Sequence, residues 1–243
     1  MRDPAKTLLL DIGNTAIKLA MAHDKGNART LPIHVEDSIL IETVHGLTTE
    51  PLTRILASSV VPKASVHLSS LFMEEFGLPL TLVPNDLPVP LESAYTGTLG
   101  SDRLIAAFAA RSLIPSGPLL VLDVGTAITL DCVLDKCFSG GFILPSPALA
   151  LQALARETAQ LPEVALPKRP SPFSLGLNTK DCIRQGIVQG TACAIDGLIA
   201  QLAQSFAEQA SVIATGGMLK TLPLRTPYRQ TENLVLTGLA LLA

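Results

Sequence analysis

Two short stretches gather oxygen-bearing side chains around a glycine: Asp11-Ile12-Gly13-Asn14-Thr15 and Asp123-Val124-Gly125-Thr126. Each sets a carboxylate two residues before the Gly and a hydroxyl one or two residues after it. A glycine lets the backbone come close to a ligand, and its neighbours then supply N–H groups, a hydroxyl and a carboxylate around one point. That chemistry suits a metal-bound polyphosphate. Gly, Asn and Asp are also the residues of ordinary hairpin turns, so one copy alone leaves both readings open. A third stretch, Gly100-Ser101-Asp102-Arg103, puts a carboxylate and a guanidinium at the entrance of an apolar helical run from Leu104. An Asp there commonly caps the helix. It can also accept a proton from a substrate hydroxyl while the adjacent Arg grips an anionic group on the same substrate.

The elements that must position these groups follow from the patterning. Leu8–Leu10 and Leu119–Leu122 are apolar runs too short for a helix, each ending at an Asp-x-Gly turn. Alternation resumes afterwards, with Ile17 and Leu19 on one face in the first copy and Ile128 and Leu130 in the second. Each unit therefore reads as strand, turn, strand. One such unit in each half implies an internally duplicated α/β fold, with lobes 1–117 and 118–243 facing each other across a cleft and Asp11 and Asp123 meeting over one ligand. In the first lobe "SILIETVHG" (38–46) and "RILASSVVP" (54–62) read as strand material, and "ASVHLSSLFMEEFG" (64–77) as a helix stopped by Gly77. Pro84, Pro88 and Pro90 impose an extended path toward Gly100. "ALALQALARETAQLP" (148–162) is an apolar helical run suited to a core or a subunit interface.

Composition excludes several classes. Of the 243 residues 48% are hydrophobic, yet no uncharged apolar run reaches the length of about 18 residues that a membrane span needs. The first apolar run ends after three leucines at Asp11, which is not the core of a signal peptide, so a cytoplasmic protein is expected. A net charge of −3 with only 4% aromatic residues offers neither a basic face nor a stacking platform for nucleic acid. Cys132, Cys137, Cys182 and Cys193 form no C-x-x-C pair, and His23, His34, His45 and His67 stand apart from them, so no zinc site is expected and the thiols read as reduced.

Taken in order, the stretches resemble the type III pantothenate kinases, members of the superfamily of acetate and sugar kinases, heat-shock ATPases and actin. The resemblance covers nearly the whole chain through "DIGNTAIK" (11–18), "SSVVP" (58–62), "GSDR" (100–103), "DVGTAITLD" (123–131), "GGFILP" (140–145), "ETAQLP" (157–162), "LGLNT" (175–179), "ATGG" (214–217) and "LVLTGLALL" (234–242). It implies a duplicated ribonuclease-H-like fold, acting as a homodimer, that transfers the γ-phosphoryl group of ATP to pantothenate in the first step of coenzyme A biosynthesis. Asp11, Ile12, Gly13, Asn14, Thr15, Ala16, Ile17 and Lys18 would then form the first phosphate loop, Asp11 helping to hold Mg2+ through water, and Thr126 would contact ATP. Asp102 would be the general base on the pantothenate hydroxyl. Tyr95, Gly100, Ser101, Asp102 and Arg103 would line the pantothenate site, with Thr179 reaching it across the dimer interface. Asp123 would hold a monovalent cation, potassium or ammonium.

The chain departs from the family pattern in two places. Tyr95 stands nearer to Gly100 than the family's substrate-contacting Tyr does, and Ser146-Pro147 follows "GGFILP" where a Gly is usual, which implies a reshaped loop. The Pro-rich "LPEVALPKRPSPFSLGLNT" (161–179) reads either as the loop that delivers Thr179 or as a plain connector. Other functions compatible with the superfamily are a phosphatase using water as nucleophile, a kinase of another small substrate, and a regulatory relative that has lost the chemistry.

Overall fold

A computed structural model describes residues 4–170 and 172–243. Met1–Asp3, at the start of the N-terminal segment considered above, and Ser171, in the Pro-rich segment, lie outside the described residues. Contacts divide the chain into two compact units.

The first unit holds the chain up to Leu113 together with Lys136–Phe138 and Asn233–Ala243. Strand β1 (Thr7–Ile12) runs antiparallel to β2 (Ala16–Met21), and β2 antiparallel to β3 (Asp24–Pro32). On its other side β1 is parallel to β4 (Arg54–Ser59), and β4 to β5 (Leu80–Leu82), giving the order β3-β2-β1-β4-β5. Being central, β1 is covered on both faces, which is why Leu8, Leu9 and Leu10 run together without alternation, all fully buried. Helices α1 (Asp37–His45) and α2 (Pro62–Phe76) contribute Leu40, Val44, Leu68 and Phe72 to one core with Leu8, Leu10, Leu19 and Ile55. Truncating one of these buried leucines to Ala costs about 2–5 kcal/mol. Gly77 ends α2 in the left-handed region at φ 65°, as the sequence implied.

Segment 38–46, read above as strand, is instead helix α1. Its β-branched residues suggest a strand, but burial follows the helical spacing: Leu40 and Val44, four apart, are each 1% exposed while Ile39 is 45% exposed. A two-residue strand, β6 (Glu92–Ser93), pairs in parallel with Cys137–Phe138. Helix α3 (Ser101–Leu113) begins three residues before Leu104, so Asp102 belongs to its first turn rather than to the cap.

The second unit comprises Ile114–Asp135 and Ser139–Glu232. Here β7 (Leu119–Val124) runs antiparallel to β8 (Ala127–Leu134), next to which lies β9 (Cys137–Pro145). On its other side β7 is parallel to β10 (Ser211–Thr215), and β10 to β11 (Arg229–Gln230). The order β9-β8-β7-β10-β11 repeats that of the first unit, so the duplication inferred from two glycine turns extends to the whole sheet. Between β9 and β10 run α4 (Pro147–Glu157) and α5 (Thr179–Gln204), the latter packing Val188, Ile195 and Ile199 on Leu120, Leu122, Val124 and Leu130. Among the described residues α5 is the one helix long and apolar enough by composition to cross a membrane.

Helix α6 (Leu234–Leu242) follows β11 as α3 follows β5, yet it packs in the first unit, although a sequence division at residue 117 assigns it to the second half. A Cβ on Gly238 would lie 2.5 Å from both Cγ2 and the carbonyl oxygen of Ile105. The missing side chain, against Ile105 of α3, allows the two helices their close approach.

Candidate active site

Each glycine turn closes a hairpin whose register fixes what surrounds its carboxylate. In the first unit the Gly13 N–H donates to the Ala16 carbonyl (3.0 Å), leaving Asn14 and Thr15 exposed at the tip. Half-buried Asp11 lies opposite Lys18 on β2 and opposite Ser58 on β4. In the second the Gly125 N–H donates to the Ala127 carbonyl (3.1 Å), and exposed Thr126 forms the tip. Asp123 lies opposite Thr129 on β8 and Thr215 on β10. Both carboxylates thus occupy the same place, at the end of a central strand with a hydroxyl residue on the parallel neighbour.

The loop after β10 is fitted tightly to this tip. Gly216 has φ 104°, and a Cβ on it would lie 2.4 Å from the Val124 carbonyl oxygen, while the Met218 N–H donates to that same oxygen (3.1 Å). Only glycine meets both the conformation and the contact. This explains the Gly of "ATGG" as backbone packing beside Asp123. The first unit makes the equivalent bond from the Val60 N–H to the Ile12 carbonyl (3.2 Å).

At the start of α3, Asp102 is half-buried and its Oδ1 accepts from the Arg103 N–H (2.8 Å). A Cβ on Gly100 would stand 2.6 Å from that oxygen, so the glycine leaves the carboxylate room to lie back over the helix entrance. Arg103 is 8% exposed, and its guanidinium carbon sits 5.4 Å from the ring centroid of Tyr95 and 5.4 Å from that of Phe138. The two rings meet edge to face at 6.0 Å. Tyr95 therefore does join the Gly100–Arg103 cluster despite its short spacing. Ser101 does so differently: its hydroxyl is buried against β4, bonding to Ser58 and to both backbone groups of Ser59.

Thr179 is the exposed first residue of α5, after Asn178, whose Oδ1 caps the helix by accepting from the Asp181 N–H (3.0 Å). Gly176 holds the approach in place, since a Cβ on it would lie 2.3 Å from the Cys182 backbone nitrogen. After the double glycine the residues that depart from the family pattern start a helix. Ser146 is the N-cap of α4, accepting from the Leu149 N–H (3.2 Å), and Pro147 occupies the first helical turn.

A sequence profile of the type III pantothenate kinases matches residues 7–201. The chain belongs to that family. It is similar to the type III pantothenate kinase of Desulfovibrio desulfuricans, with 38% identity over 233 residues, covering 90% of this chain and 89% of that one. In fold it is similar to a Sinorhizobium meliloti protein assigned as a 2-dehydro-3-deoxygalactonokinase (TM-score 0.64, 13% identity, 98% of both chains). A ROK family glucokinase from Streptomyces griseus, solved with glucose and AMPPNP, also shares the fold (TM-score 0.51, 14% identity, 98% of both chains). The repeated strand order together with these neighbours is that of the duplicated ribonuclease-H-like, actin and sugar-kinase architecture.

Within this family member, reading the sequence missed three neighbours of the expected site. Phe138, fully buried beside Arg103, carries only a weak local signal, an aromatic residue two positions before a double glycine. Ser58 stood inside a quoted motif without a role, and Thr215 likewise.

Proposed function

We infer that this chain phosphorylates pantothenate with ATP, and that Asp102 is the base that receives the hydroxyl proton. The observation that carries the assignment of the base is the half-buried Asp102 carboxylate over Gly100 at the start of α3, next to an Arg held by two aromatic rings. Phosphoryl transfer asks little covalent help of a protein: the hydroxyl must be aligned with the γ-phosphorus and the charge on the equatorial oxygens neutralised. As the new P–O bond forms and the bond to ADP breaks, the alcohol proton passes to Asp102. Tyr95, Gly100 and Arg103 bound the pantothenate pocket, Arg103 taking the substrate carboxylate, while Ser101 lines it through its backbone.

The first glycine turn, Asp11 to Lys18, holds the ATP phosphates, with Lys18 opposite Asp11 and the exposed tip of Asn14 and Thr15 offered to the ligand. Thr126 does the same at the second tip. Among the described residues no three His, Cys, Asp or Glu side chains gather into a metal-binding group, which fits a Mg2+ that takes most of its ligands from the nucleotide and water, with Asp11 acting through water. A monovalent cation, potassium or ammonium, suits Asp123, whose strand neighbours Thr129 and Thr215 offer hydroxyl oxygens. When bound, it supplies positive charge beside the phosphates.

Homodimerisation, with Thr179 reaching the partner's pantothenate pocket, is supported by Phe173, Leu175 and Leu177, which are 72%, 84% and 93% exposed in the segment before Thr179. Such a run of apolar side chains suits burial against a second subunit.

The test is Asp102→Asn in an assay with ATP, Mg2+, potassium and pantothenate. The amide keeps the shape and the bond from Arg103 but cannot take the proton. Loss of kcat by about 10²-fold or more, with ATP binding retained, is expected of a lost general base. Retention of more than about a tenth of kcat would reduce Asp102 to a helix-start residue.

A further inference from the structure

The Ser101 hydroxyl makes three hydrogen bonds in a site where its residue is 9% exposed and Ser58 is fully buried. It accepts from the Ser59 N–H (3.1 Å), donates to the Ser59 carbonyl (2.9 Å) and lies 3.0 Å from the Ser58 hydroxyl. A serine has one proton to give and two lone pairs. Since the Ser59 carbonyl can only accept, the Ser101 proton goes there, and the Ser58 hydroxyl donates to Ser101. All three capacities of Ser101 are used.

The position of these bonds in the sheet gives them a purpose. Along β4, alternate residues turn their backbone groups to opposite neighbours. Ala57 and Ser59 face the β5 side, and the Ala57 carbonyl is met by the Val83 N–H (2.8 Å), just where β5 ends. Beyond that point, among the described residues, no strand covers the Ser59 N–H and carbonyl, and the Ser101 hydroxyl bonds both instead. Ser58 turns the other way, toward β1, where it lies opposite Asp11. One side chain thus fastens the first turn of α3, which carries Asp102, to the strand residue beside Asp11.

We propose that Ser101 is a positioning residue that sets the Asp102 carboxylate by locking the first turn of α3 to the end of β4. This rests on the reading of Asp102 as the base. Ser101→Ala removes the three bonds and leaves the β4 groups to water, letting the helix entrance drift. A misplacement on the order of 1 Å can cost as much as 10²-fold in rate.

The expected result for Ser101→Ala is a fall in kcat of about tenfold, with KM for pantothenate within about twofold of wild type. The amide of Ser59 should also exchange with solvent faster. Ser58→Ala, which removes only one of the bonds, is expected to lower kcat by about two- to threefold. Because the Ser58 hydroxyl donates to Ser101, the double variant should match Ser101→Ala. In the Asp102→Asn background Ser101→Ala should cause no further loss. A raised KM with kcat unchanged would make Ser101 a substrate contact, and full activity of Ser101→Ala beside an inactive Asp102→Asn would remove the positioning role. If Asp102→Asn itself stays active, the base assignment fails whatever Ser101 does. Should Ser101→Ala not fold, Ser58→Ala and its exchange at Ser59 decide, and unchanged kcat and exchange there would overturn the proposal.

Discussion

Gly216→Ala isolates the fit between the loop after β10 and the tip that carries Asp123. The added Cβ would lie 2.4 Å from the Val124 carbonyl oxygen and 2.5 Å from the Val124 carbonyl carbon and nitrogen, all backbone atoms that no side-chain rotation can clear. Ordinary contact begins at 3.4 Å, so the loop or the end of β7 must move by the difference, 1.0 Å. Backbone strain at φ 104° adds a cost of its own. Strain of this kind and overpacking each cost about 1–3 kcal/mol, so a loss of about 2–6 kcal/mol in stability is expected. Gly217 is the control, because a Cβ there meets nothing within 4 Å and its φ is not positive; Gly217→Ala should change stability by less than about 0.5 kcal/mol. Urea unfolding followed by circular dichroism measures both, the chain having no Trp to report by fluorescence. Since Val124 adjoins Asp123, Gly216→Ala should also lower kcat/KM for ATP by about ten- to a hundredfold. Equal stabilities for the two variants would refute the close-approach argument.

Three further outcomes are expected. Arg103→Lys keeps the charge but loses the planar fork between Tyr95 and Phe138, and should raise KM for pantothenate by about tenfold or more while sparing kcat; a change in stability alone would make Arg103 a packing residue. Activity should depend on potassium or ammonium and be poor in sodium, and Asp123→Asn should abolish that dependence; equal rates of the wild type in potassium and sodium would remove the cation from Asp123. When Asp102→Asn and a bulky, inactivating Thr179 variant are refolded together, a mixed dimer with Thr179 acting in trans has one intact site, so about a quarter of wild-type activity should return; no recovery with tagged mixed dimers present would put Thr179 in its own subunit's site.

What could be read from the sequence was what neighbouring residues determine among themselves. The two hairpins were legible because strand, glycine and strand lie within about a dozen residues, and the end of α2 because Gly77 alone decides it. Segment 38–46 failed for the same reason in reverse: its local composition is that of a strand, and only packing against the sheet chose the Leu40 and Val44 stripe. Ser146-Pro147 looked like a disruption against the family pattern and is a good helix start. Phe138 beside Arg103, and Ser58 beside Ser101, join residues 35 and 43 positions apart, and no local pattern announces such pairs. The repeat of strand order was foreseeable as duplication, but the packing of α6 on α3 depends on one glycine meeting Ile105.

The two repeats share one scaffold but differ around their carboxylates. Both repeats end their central strand in Asp, turn on a Gly and bring a hydroxyl residue alongside from the parallel strand. They differ opposite the carboxylate: the hairpin partner of Asp11 is Lys18, and that of Asp123 is Thr129. A lysine at that place adds positive charge where phosphate oxygens would gather, and the extra Asn14 lengthens the first tip by one more backbone N–H. A threonine adds only an oxygen. On the function proposed above, the second tip, with a hydroxyl and no cation from its hairpin partner, would take the monovalent ion, and the first the polyphosphate directly. If that is the division of labour, Thr129→Lys should import into the second repeat the charge that the ion otherwise supplies. Its activity in sodium should then approach its activity in potassium, a result that a purely structural role for Thr129 does not produce.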